Sequence, residues 1–383
     1  MKKAYLSLLI SGFLSISCIG IVSAHKAPEK EIPTNVKELT DNNLTTDYTG
    51  TKGTNKLIFD VQYSTPVLSY KIYSSGSSAQ HDPVKWVLKG SNDGKKWIKV
   101  DEKKDQKFCS RYQEILCVVE KPGNFKHYML EISAEKKQKL TLAEVQLFDK
   151  NLLTGWENFK YPTVTFESLD PDTEGSKIYH ELVQDPDEYI KYHTKQVAEI
   201  LYFTASDPMV DVNNIQYTLE NKEGVSAKGG GGGNIHIFYS TQHIERSAKE
   251  SLFKLDFETR GVLYHELTHG YQFEPKGVGN YSNNKIFWAC IEGLADAVRA
   301  EAGYFDMNTR KPGGNWMDGY RTTGFFIQWL TTKDKDAIRK FNLSVRDLDV
   351  WSFDKSMKYI FGDTATIESL WNEYQEFLKS EKK

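Results

Sequence analysis

The sequence predicts an α+β protein of several domains, in which an N-terminal all-β sandwich is followed by a domain of mixed helices and strands. Between about residues 38 and 150, short runs of β-branched and aromatic residues alternate with turn residues. Beyond residue 155, runs with helical spacing alternate with further strands. A chain of 383 residues is long enough for two or three domains. We therefore expect a sandwich at residues 38–150 and a second domain at residues 155–383.

The composition is that of an ordinary soluble globular protein, with 39% hydrophobic and 26% charged residues. The formal net charge of −3 gives no reason to expect nucleic acid or an anionic membrane as a partner. Aromatic residues make up 13%, which suggests recognition of sugars or proteins, although many such residues fill cores. We expect the protein to be a monomer.

Residues 1–24 have the pattern of a secretory signal peptide. Lys2 and Lys3 form a basic start, residues 4–22 are nearly all apolar or small, and Val22 and Ala24 suit the −3 and −1 cleavage positions. The pattern predicts cleavage after Ala24 and export of the chain. An uncleaved anchor is the alternative, but only about 19 residues are apolar and no stop-transfer flank follows.

A lipoprotein signal is a second interpretation of the same segment. Ser15–Cys18 resembles a bacterial lipobox that lacks the leucine at position −3, and this interpretation makes Cys18 a lipidated N-terminus. The sequence leaves free secretion and attachment to the cell surface both open. Residues 25–37 are rich in lysine, glutamate and proline and are interpreted as a linker.

Five runs in the N-terminal part have the composition of β-strands. They are Leu57–Val61, Val67–Tyr73, Trp86–Gly90, Tyr128–Ile132 and Glu144–Phe148. Ser91–Gly94 predicts a hairpin turn, because Asn, Asp and Gly tolerate positive φ. Short strands at this spacing are typical of a sandwich.

Three cysteines follow the signal segment. In an exported protein, Cys109 and Cys117 can close a disulfide across a short loop. Cys290 is then left over, and its position two residues before Glu292 predicts burial in the core rather than metal binding.

About 110 residues of the N-terminal part resemble the coagulation-factor C-type, or discoidin, family, which includes carbohydrate-binding modules of secreted bacterial enzymes. The resemblance rests on Leu39–Asn43, on Pro83–Trp86 running into Lys89–Gly94 and Trp97, and on Leu142–Phe148. It implies a jelly-roll sandwich that binds a glycan and often holds one structural calcium ion.

The same resemblance implies ligands for that calcium ion. Carried over to this sequence, Asp41 and Glu144 supply carboxylates, helped by loop carbonyls near Thr46. Oxygen ligands suit calcium. The alternative is that both are surface carboxylates. His81 and nearby aromatic residues are candidates for sugar contacts.

The second domain begins near Trp156 with alternating strands and helices. The predicted strands are Tyr161–Phe166, Ile215–Leu219 and Asn234–Phe238, and Asp187–Tyr202 has helical spacing. Gly229–Gly233 lacks the Gly-Lys-Ser/Thr ending of a phosphate loop and precedes a strand rather than a helix. We therefore interpret it as a flexible loop that leads into an edge strand.

The central motif of this domain is His265-Glu266-Leu267-Thr268-His269. Positions i and i+4 of a helix lie on one face, so both imidazoles can reach one metal ion while Glu266 lies beside the water that the ion would hold. Leu263 and Leu267 lie on the opposite face of the helix predicted over Thr259–Tyr271. His236 and His243 are alternative ligands, but they lack helical spacing with this pair.

A second helix, predicted over Ile286–Gly303, supplies a candidate for the third metal ligand, which the first helix lacks. Catalytic zinc usually takes three protein ligands and leaves one position for water, so Glu292 is a candidate third ligand. Asp296, on the same helical face, can accept the free ring N–H of His265. The alternative for Glu292 is a surface salt bridge. Trp288 shares this face and is a candidate for the cleft wall.

These two helices resemble the plant basic secretory protein family and its bacterial relatives, which are secreted zinc peptidases of the gluzincin type. The resemblance runs from about Pro162 to Leu378. It rests on Arg260–Gln272, Ile291–Arg299 and Gly319–Phe326, followed by Trp329 and Leu330. It implies a zincin-like mixed α/β fold in which Glu292 is a ligand and Asp296 supports His265. The pI of about 6.3 departs from the basic character of the plant members.

The residue types predict a mechanism. Zinc on His265, His269 and Glu292 would lower the pKa of a bound water towards about 7 and polarise the scissile carbonyl. Glu266 would take the water proton and pass it to the leaving amine. The developing oxyanion needs a further donor, for which Tyr320, with Arg321 behind it, is the candidate. The alternative is that Tyr320 packs beneath the metal site.

We therefore expect a secreted or surface-attached zinc endopeptidase that cleaves proteins or glycoproteins and is targeted by a glycan-binding module. The alternative is a glycan-binding adhesin whose zinc domain is structural. Glu266 argues against that alternative, because a structural site needs no base and usually closes with a fourth protein ligand. A glycoside hydrolase would need a pair of catalytic carboxylates, which are too common in this sequence to support it.

Overall fold

A computed structural model describes residues 36–60 and 65–381. The predicted signal peptide at residues 1–24, Cys18 and residues 25–35 of the predicted linker lie outside the described residues. Within the described ranges, every helix is too short or too polar to cross a bilayer. The described part confirms the mixed α+β class, with a β-sandwich at its N-terminal end.

The sandwich is antiparallel throughout. Its strands are β1 (Tyr48–Lys52), β2 (Asn55–Asp60), β3 (Ser69–Tyr73), β4 (Pro83–Ser91), β5 (Ile98–Lys103), β6 (Glu114–Val118), β7 (His127–Ala134), β8 (Lys139–Leu142) and β9 (Glu144–Phe148). They form a sheet in the order β2-β7-β4-β5, a sheet in the order β6-β3-β9 and the pair β1-β8. Phe59 and Leu88 of the first sheet share one core with Ile72 and Leu147 of the second, so the two sheets face each other.

All five predicted strands of the sandwich are confirmed, with bounds that differ by three residues at most, although Val61 lies outside the described residues. The predicted turn after β4 is also confirmed. Asp93 Oδ1 accepts hydrogen bonds from the backbone N–H of Lys95 (2.8 Å) and Lys96 (2.7 Å), and Gly94 has a φ of +67°. A short polar side chain and a glycine therefore make the reversal, as the sequence predicts.

The disulfide considered from the sequence does not form, because Cys109 and Cys117 are free thiols. Cys117 lies on β6 in the sandwich core, whereas Cys109 packs against the core of the second domain. The two side chains therefore belong to different cores despite their closeness in sequence. Cys290 is fully buried, as predicted.

The second domain places helices around a four-stranded sheet. The strands β10 (Thr163–Ser168), β11 (Asn214–Glu220), β12 (Ser226–Gly231) and β13 (Asn234–Ser240) lie in the order β10-β11-β13-β12. The helices are α1 (Glu174–Leu182), α2 (Pro186–Leu201), α3 (Thr241–Ala248), α4 (Leu252–Tyr271), α5 (Lys285–Glu301), α6 (Tyr320–Trp329), α7 (Ala337–Asp347), α8 (Phe353–Phe361) and α9 (Ile367–Ser380). Strands β10, β11 and β13 are parallel, and β12 joins β13 antiparallel.

Local sequence explains where the two central helices begin. Ser251 caps α4 by accepting a hydrogen bond from the N–H of Lys254, and Asn284 caps α5 through the N–H groups of Ile286 and Phe287. Helix α4 starts seven residues before the predicted Thr259. The prediction missed this first part because α4 is buried on several faces and so shows little helical periodicity.

The prediction for the glycine run is wrong. Gly229–Gly231 forms the end of β12 and pairs with residues 234–236 of β13. Gly232 and Gly233, with φ of +59° and +83°, then make the turn into β13. The edge strand is consequently β12 rather than β13. Glycines carry no side chain to reveal strand alternation, so the sequence pattern resembles a loop.

The loop between β5 and β6 attaches the sandwich to the second domain. The carbonyl of Cys109 accepts hydrogen bonds from the N–H of Gln184 (2.8 Å) and Asp185 (3.0 Å), and the N–H of Arg111 donates to the carbonyl of Leu182 (2.8 Å). Ser110 and Val183 thus form an isolated antiparallel bridge between the two domains. The sandwich is therefore docked on the second domain.

A buried charge cluster extends this interface to helix α4. Arg260 Nε donates to Asp256 (2.7 Å), and its Nη2 donates to the backbone carbonyl of Arg111 (3.1 Å). Glu114, on β6, lies 3.9 Å from Arg260 Nη1. The guanidinium, with 4% of its side chain exposed, thus joins the sandwich to the helix that carries the His-Glu motif.

Replacing Arg260 with methionine is expected to lower the free energy of unfolding by about 3–5 kcal/mol at neutral pH, because the buried Asp256 carboxylate would lose its cation. Burial raises the pKa of Asp256 to about 6 even with Arg260 beside it. The loss should therefore shrink at pH 5, where Asp256 takes up a proton. Urea denaturation measures both values. Arg246→Met, on the exposed Arg246 of α3, is the control and should change stability by about 0.5 kcal/mol or less. Equal losses in the two variants would contradict a role for the cluster.

Candidate metal centre

Close packing of α5 and α6 positions the functional side chains. A Cβ at Gly293 would lie 2.3 Å from Thr323, and a Cβ at Gly324 would lie 2.6 Å from the Cβ of Asp296. Only glycine allows the helices to approach this closely. As a result, Tyr320 at the start of α6 contacts Trp288, which lies one helical turn before Glu292 on α5.

The structure brings His265 and His269 of α4 together with Glu292 of α5. The two Nε2 atoms are 3.1 Å apart, and Glu292 Oε2 lies 3.2 Å from His265 Nε2 and 3.7 Å from His269 Nε2. Zinc–ligand bonds of about 2.0–2.1 Å at tetrahedral angles separate two ligand atoms by about 3.3 Å. The three donor atoms therefore have the separations that one zinc-sized ion requires.

Each histidine has a polar partner at its other ring nitrogen. Asp296 Oδ1 lies 2.7 Å from His265 Nδ1, the contact expected from the sequence. Gln272 Nε2 lies 2.8 Å from His269 Nδ1, while Gln272 Oε1 is buried and lacks a hydrogen-bond partner within the described residues. Exchanging the amide oxygen and nitrogen lets Gln272 accept a hydrogen bond from Nδ1–H, which leaves His269 Nε2 free to bind a metal. The sequence analysis missed Gln272, although its place three residues after His269 was a usable signal.

The electrostatics of the group favour a positive charge between the donors. Burial alone would lower the pKa of His265, but the adjacent carboxylates of Asp296 and Glu292 outweigh it and raise the pKa to about 10. Burial and the charge on His265 lower the pKa of His269 to about 3. Burial would raise the pKa of Glu292, but the neighbouring histidines lower it below its usual range. One neutral imidazole and an ionised carboxylate are the forms that bind a cation.

Glu266 is buried next to this group, with 6% of its surface exposed. Burial raises its pKa, against the opposing effects of the charge on His265 and of hydrogen bonds from the Ser226 side chain and the Lys228 backbone. Both of these donors lie on β12. The edge strand therefore covers the carboxylate that the sequence identifies as the base.

Two tyrosines lie on the open side of the site. The ring of Tyr320 is 47% exposed and lies nearly parallel to that of His265, with 6.0 Å between centroids and 14° between planes. Its edge contacts Trp288 at 5.6 Å. Tyr281 Oη donates to Glu292 Oε1 at 2.6 Å, a contact that the sequence analysis missed. The exposure of Tyr320 contradicts the alternative that it packs beneath the site. Arg321 lies over the ring of Phe305.

Comparison with known proteins identifies the second domain. Residues 161–374, more than half of the chain, match the family model described as a peptidase of plants and bacteria. The chain belongs to this family. The resemblance to the basic secretory proteins is thereby confirmed. No curated protein matches the chain.

Solved structures similar to this chain are modules that match its N-terminal region. One is CpGH89CBM32-5 from Clostridium perfringens in complex with GalNAc-β-1,3-galactose, at 14% identity over 33% of this chain and 95% of that chain, with a TM-score of 0.26. Another is an F5/8 type C domain from Bacteroides fragilis, at 13% identity over 30% and 80%, with a TM-score of 0.27. A third is the family 32 carbohydrate-binding module of Streptococcus pneumoniae EndoD, at 9% identity over 32% and 91%, with a TM-score of 0.27.

The remaining histidines of interest lie outside the metal group of this peptidase family member. His236 is exposed on β13, with Nε2 3.1 Å from Thr218 Oγ1. His243 lies on α3 against Tyr239. Within the described ranges, neither belongs to the cluster of metal-binding side chains. His81 ends a short 3₁₀ turn in the sandwich.

The two predicted calcium ligands lie in different surroundings. Asp41 is exposed, and its carboxylate accepts hydrogen bonds from the N–H of Asn43 (2.9 Å) and from Thr46 Oγ1 (2.7 Å). Glu144 is fully buried at the start of β9. The alternative that both are surface carboxylates is therefore wrong for Glu144. A calcium site at these residues stays a prediction.

Proposed function

We propose that this chain is an exported, zinc-dependent endopeptidase that cleaves proteins or glycoproteins and is directed to glycans by its N-terminal sandwich. The convergence of His265, His269 and Glu292 at separations of 3.1–3.7 Å carries the proposal. Membership of a peptidase family supports it. A zincin-like fold of the gluzincin type is proposed on the same grounds.

Each residue of the group has a part in this proposal. When bound, zinc acts as a Lewis acid on the scissile carbonyl and lowers the pKa of water to about 7. Asp296 and Gln272 hold the two imidazoles in the orientation that directs their Nε2 atoms to the site. His265 would have to release its proton to bind the ion, after which the three side chains would provide one negative charge and two neutral donors.

Glu266 is the proposed general base. Its carboxylate takes a proton from the attacking water and passes it to the leaving amine. Burial raises its pKa, which makes it a better proton acceptor than an exposed carboxylate. The hydrogen bonds from Ser226 and Lys228 hold it in place and tie the base to the strand along which substrate is proposed to bind.

Strand β12 is the proposed substrate platform. Among the described strands it pairs only with β13, so its other edge can pair with an extended peptide. Gly229–Gly231 are exposed and present no side chains that would hinder such pairing. Tyr320, on the open side of the site, is the proposed hydrogen-bond donor to the oxyanion.

Hydrolysis of casein or a mucin-type glycoprotein by the purified chain, with and without a metal chelator, tests the proposal. We expect cleavage that is lost on chelation and restored by added zinc. Cleavage that is unaffected by complete removal of zinc would overturn zinc dependence. Glycan binding with no cleavage of any tested protein would favour the adhesin. The three-residue donor group, which lacks a fourth protein ligand within the described part, argues against that outcome.

A further inference from the structure

Tyr281 forms a hydrogen bond with only one of the two carboxylate oxygens of Glu292. Its hydroxyl donates to Oε1 at 2.6 Å. Oε2 is buried, lacks a donor of good hydrogen-bond geometry within the described residues, and faces the Nε2 atoms of His265 (3.2 Å) and His269 (3.7 Å). One oxygen is therefore occupied by a phenol while the other is directed at the proposed metal position.

We propose that Tyr281 is a positioning residue that makes Glu292 a one-oxygen ligand and so keeps a coordination position open for water. The inference rests on the proposed function. A carboxylate can bind a metal through one or both oxygens, and the second oxygen would occupy the place that a catalytic site reserves for water. A strong hydrogen bond to Oε1 opposes that second contact.

The connection between α4 and α5 holds Tyr281 in place. The backbone carbonyl of Asn280 accepts hydrogen bonds from the N–H groups of Asn283 (3.2 Å) and Asn284 (3.1 Å), and Asn283 Oδ1 accepts from the N–H of Asn280 (2.9 Å). Asn284 also caps α5. The turn that carries Tyr281 is therefore built onto the helix that carries Glu292.

The backbone conformation just before this turn favours glycine. Gly279 has a φ of +77°, and a Cβ there would lie 2.7 Å from Asn283 Oδ1. The backbone would have to shift to admit any other residue. The local turn thus fixes the backbone position from which the Tyr281 side chain reaches Glu292.

Tyr281→Phe in the full chain tests the inference through zinc binding as well as activity. We expect zinc affinity, measured by competition with a chromophoric chelator, to fall about 10-fold or more. X-ray absorption of the bound zinc should show an additional oxygen ligand. The value of kcat should fall more than KM rises, because water loses its position. Tyr359→Phe, at an exposed tyrosine on α8, is the matched control and should leave all of these values unchanged.

The outcomes separate this inference from the function on which it rests. If the unaltered chain binds zinc and Tyr281→Phe has the same affinity and the same zinc coordination, the role of Tyr281 is overturned while the proposed function stands. If the unaltered chain binds no zinc, the proposed function fails and the inference fails with it. Circular dichroism and thermal unfolding of the metal-free variant distinguish a loss of positioning from a loss of folding.

Discussion

Replacing Glu266 with glutamine is expected to abolish hydrolysis while the chain keeps its zinc. The amide has nearly the shape of the carboxylate but cannot accept the proton of water. Loss of a general base costs about 10²–10⁴-fold in rate. Glu266 is not one of the three donors, so metal content should not change. Measurement of kcat on a peptide substrate, together with metal analysis of the same sample, tests both parts.

Glu368→Gln, at an exposed glutamate in the first turn of α9, is the control for this exchange and should retain full activity. Full hydrolysis by Glu266→Gln would show that another group is the base. Loss of zinc together with loss of activity would attribute the effect to the metal site. An intact site is the expected result, because a glutamine oxygen can still accept a hydrogen bond from the backbone N–H of Lys228.

Replacing Glu292 with alanine is expected to have the largest effect on metal content. The variant keeps two imidazoles and loses the only charged donor of the group. Loss of an outer partner lowers metal affinity by about 10–100-fold, and loss of a direct ligand should exceed that range. Zinc per chain after dialysis, measured by mass spectrometry, should fall well below that of the unaltered protein. Activity should fall in parallel.

Glu368→Ala serves as the control for this second exchange and should retain its zinc. Unchanged zinc stoichiometry and affinity in Glu292→Ala would remove Glu292 from the donor set. An effect of Glu292→Ala on folding can be distinguished from an effect on metal binding by comparing the thermal unfolding of the metal-free forms of the two variants. The Tyr281 residue is 45% exposed, so its hydroxyl can turn to water when its acceptor is removed and a modest stability change is expected.

Most of the fold prediction rested on the periodic spacing of apolar residues along the chain. Alternation located five of the nine described strands of the sandwich, and helical spacing located α2, most of α4 and α5. The prediction was weakest where periodicity is absent, as in the first turns of α4, which are buried on several faces, and in β12, which ends in glycines. The two failures have different causes: burial on several faces removes helical periodicity in α4, and glycines have no side chain that could show strand alternation in β12.

Contacts between segments that are distant in sequence could not be predicted from local residue patterns. The loop at Cys109 pairs with residues 182–185 of the other domain, which separates Cys109 from Cys117 and excludes the disulfide. Arg260 connects the His-Glu helix to the sandwich through Glu114 and the carbonyl of Arg111. The residues that meet in each of these contacts are far apart in sequence, so the contacts depend on how the two domains dock.

The sequence by itself determined which side chains can form the centre, because a helical repeat of 3.6 residues places His265 with His269, and Glu292 with Asp296, on single faces. Tertiary structure alone decided that the two faces meet, with Glu292 Oε2 at 3.2 Å from His265 Nε2 and 3.7 Å from His269 Nε2. It also decided that β12 covers Glu266 and that Tyr281 holds Oε1 of Glu292. The physical reason is that positions along one helix are set by local backbone geometry, whereas distances between elements such as α4 and α5 are set by packing.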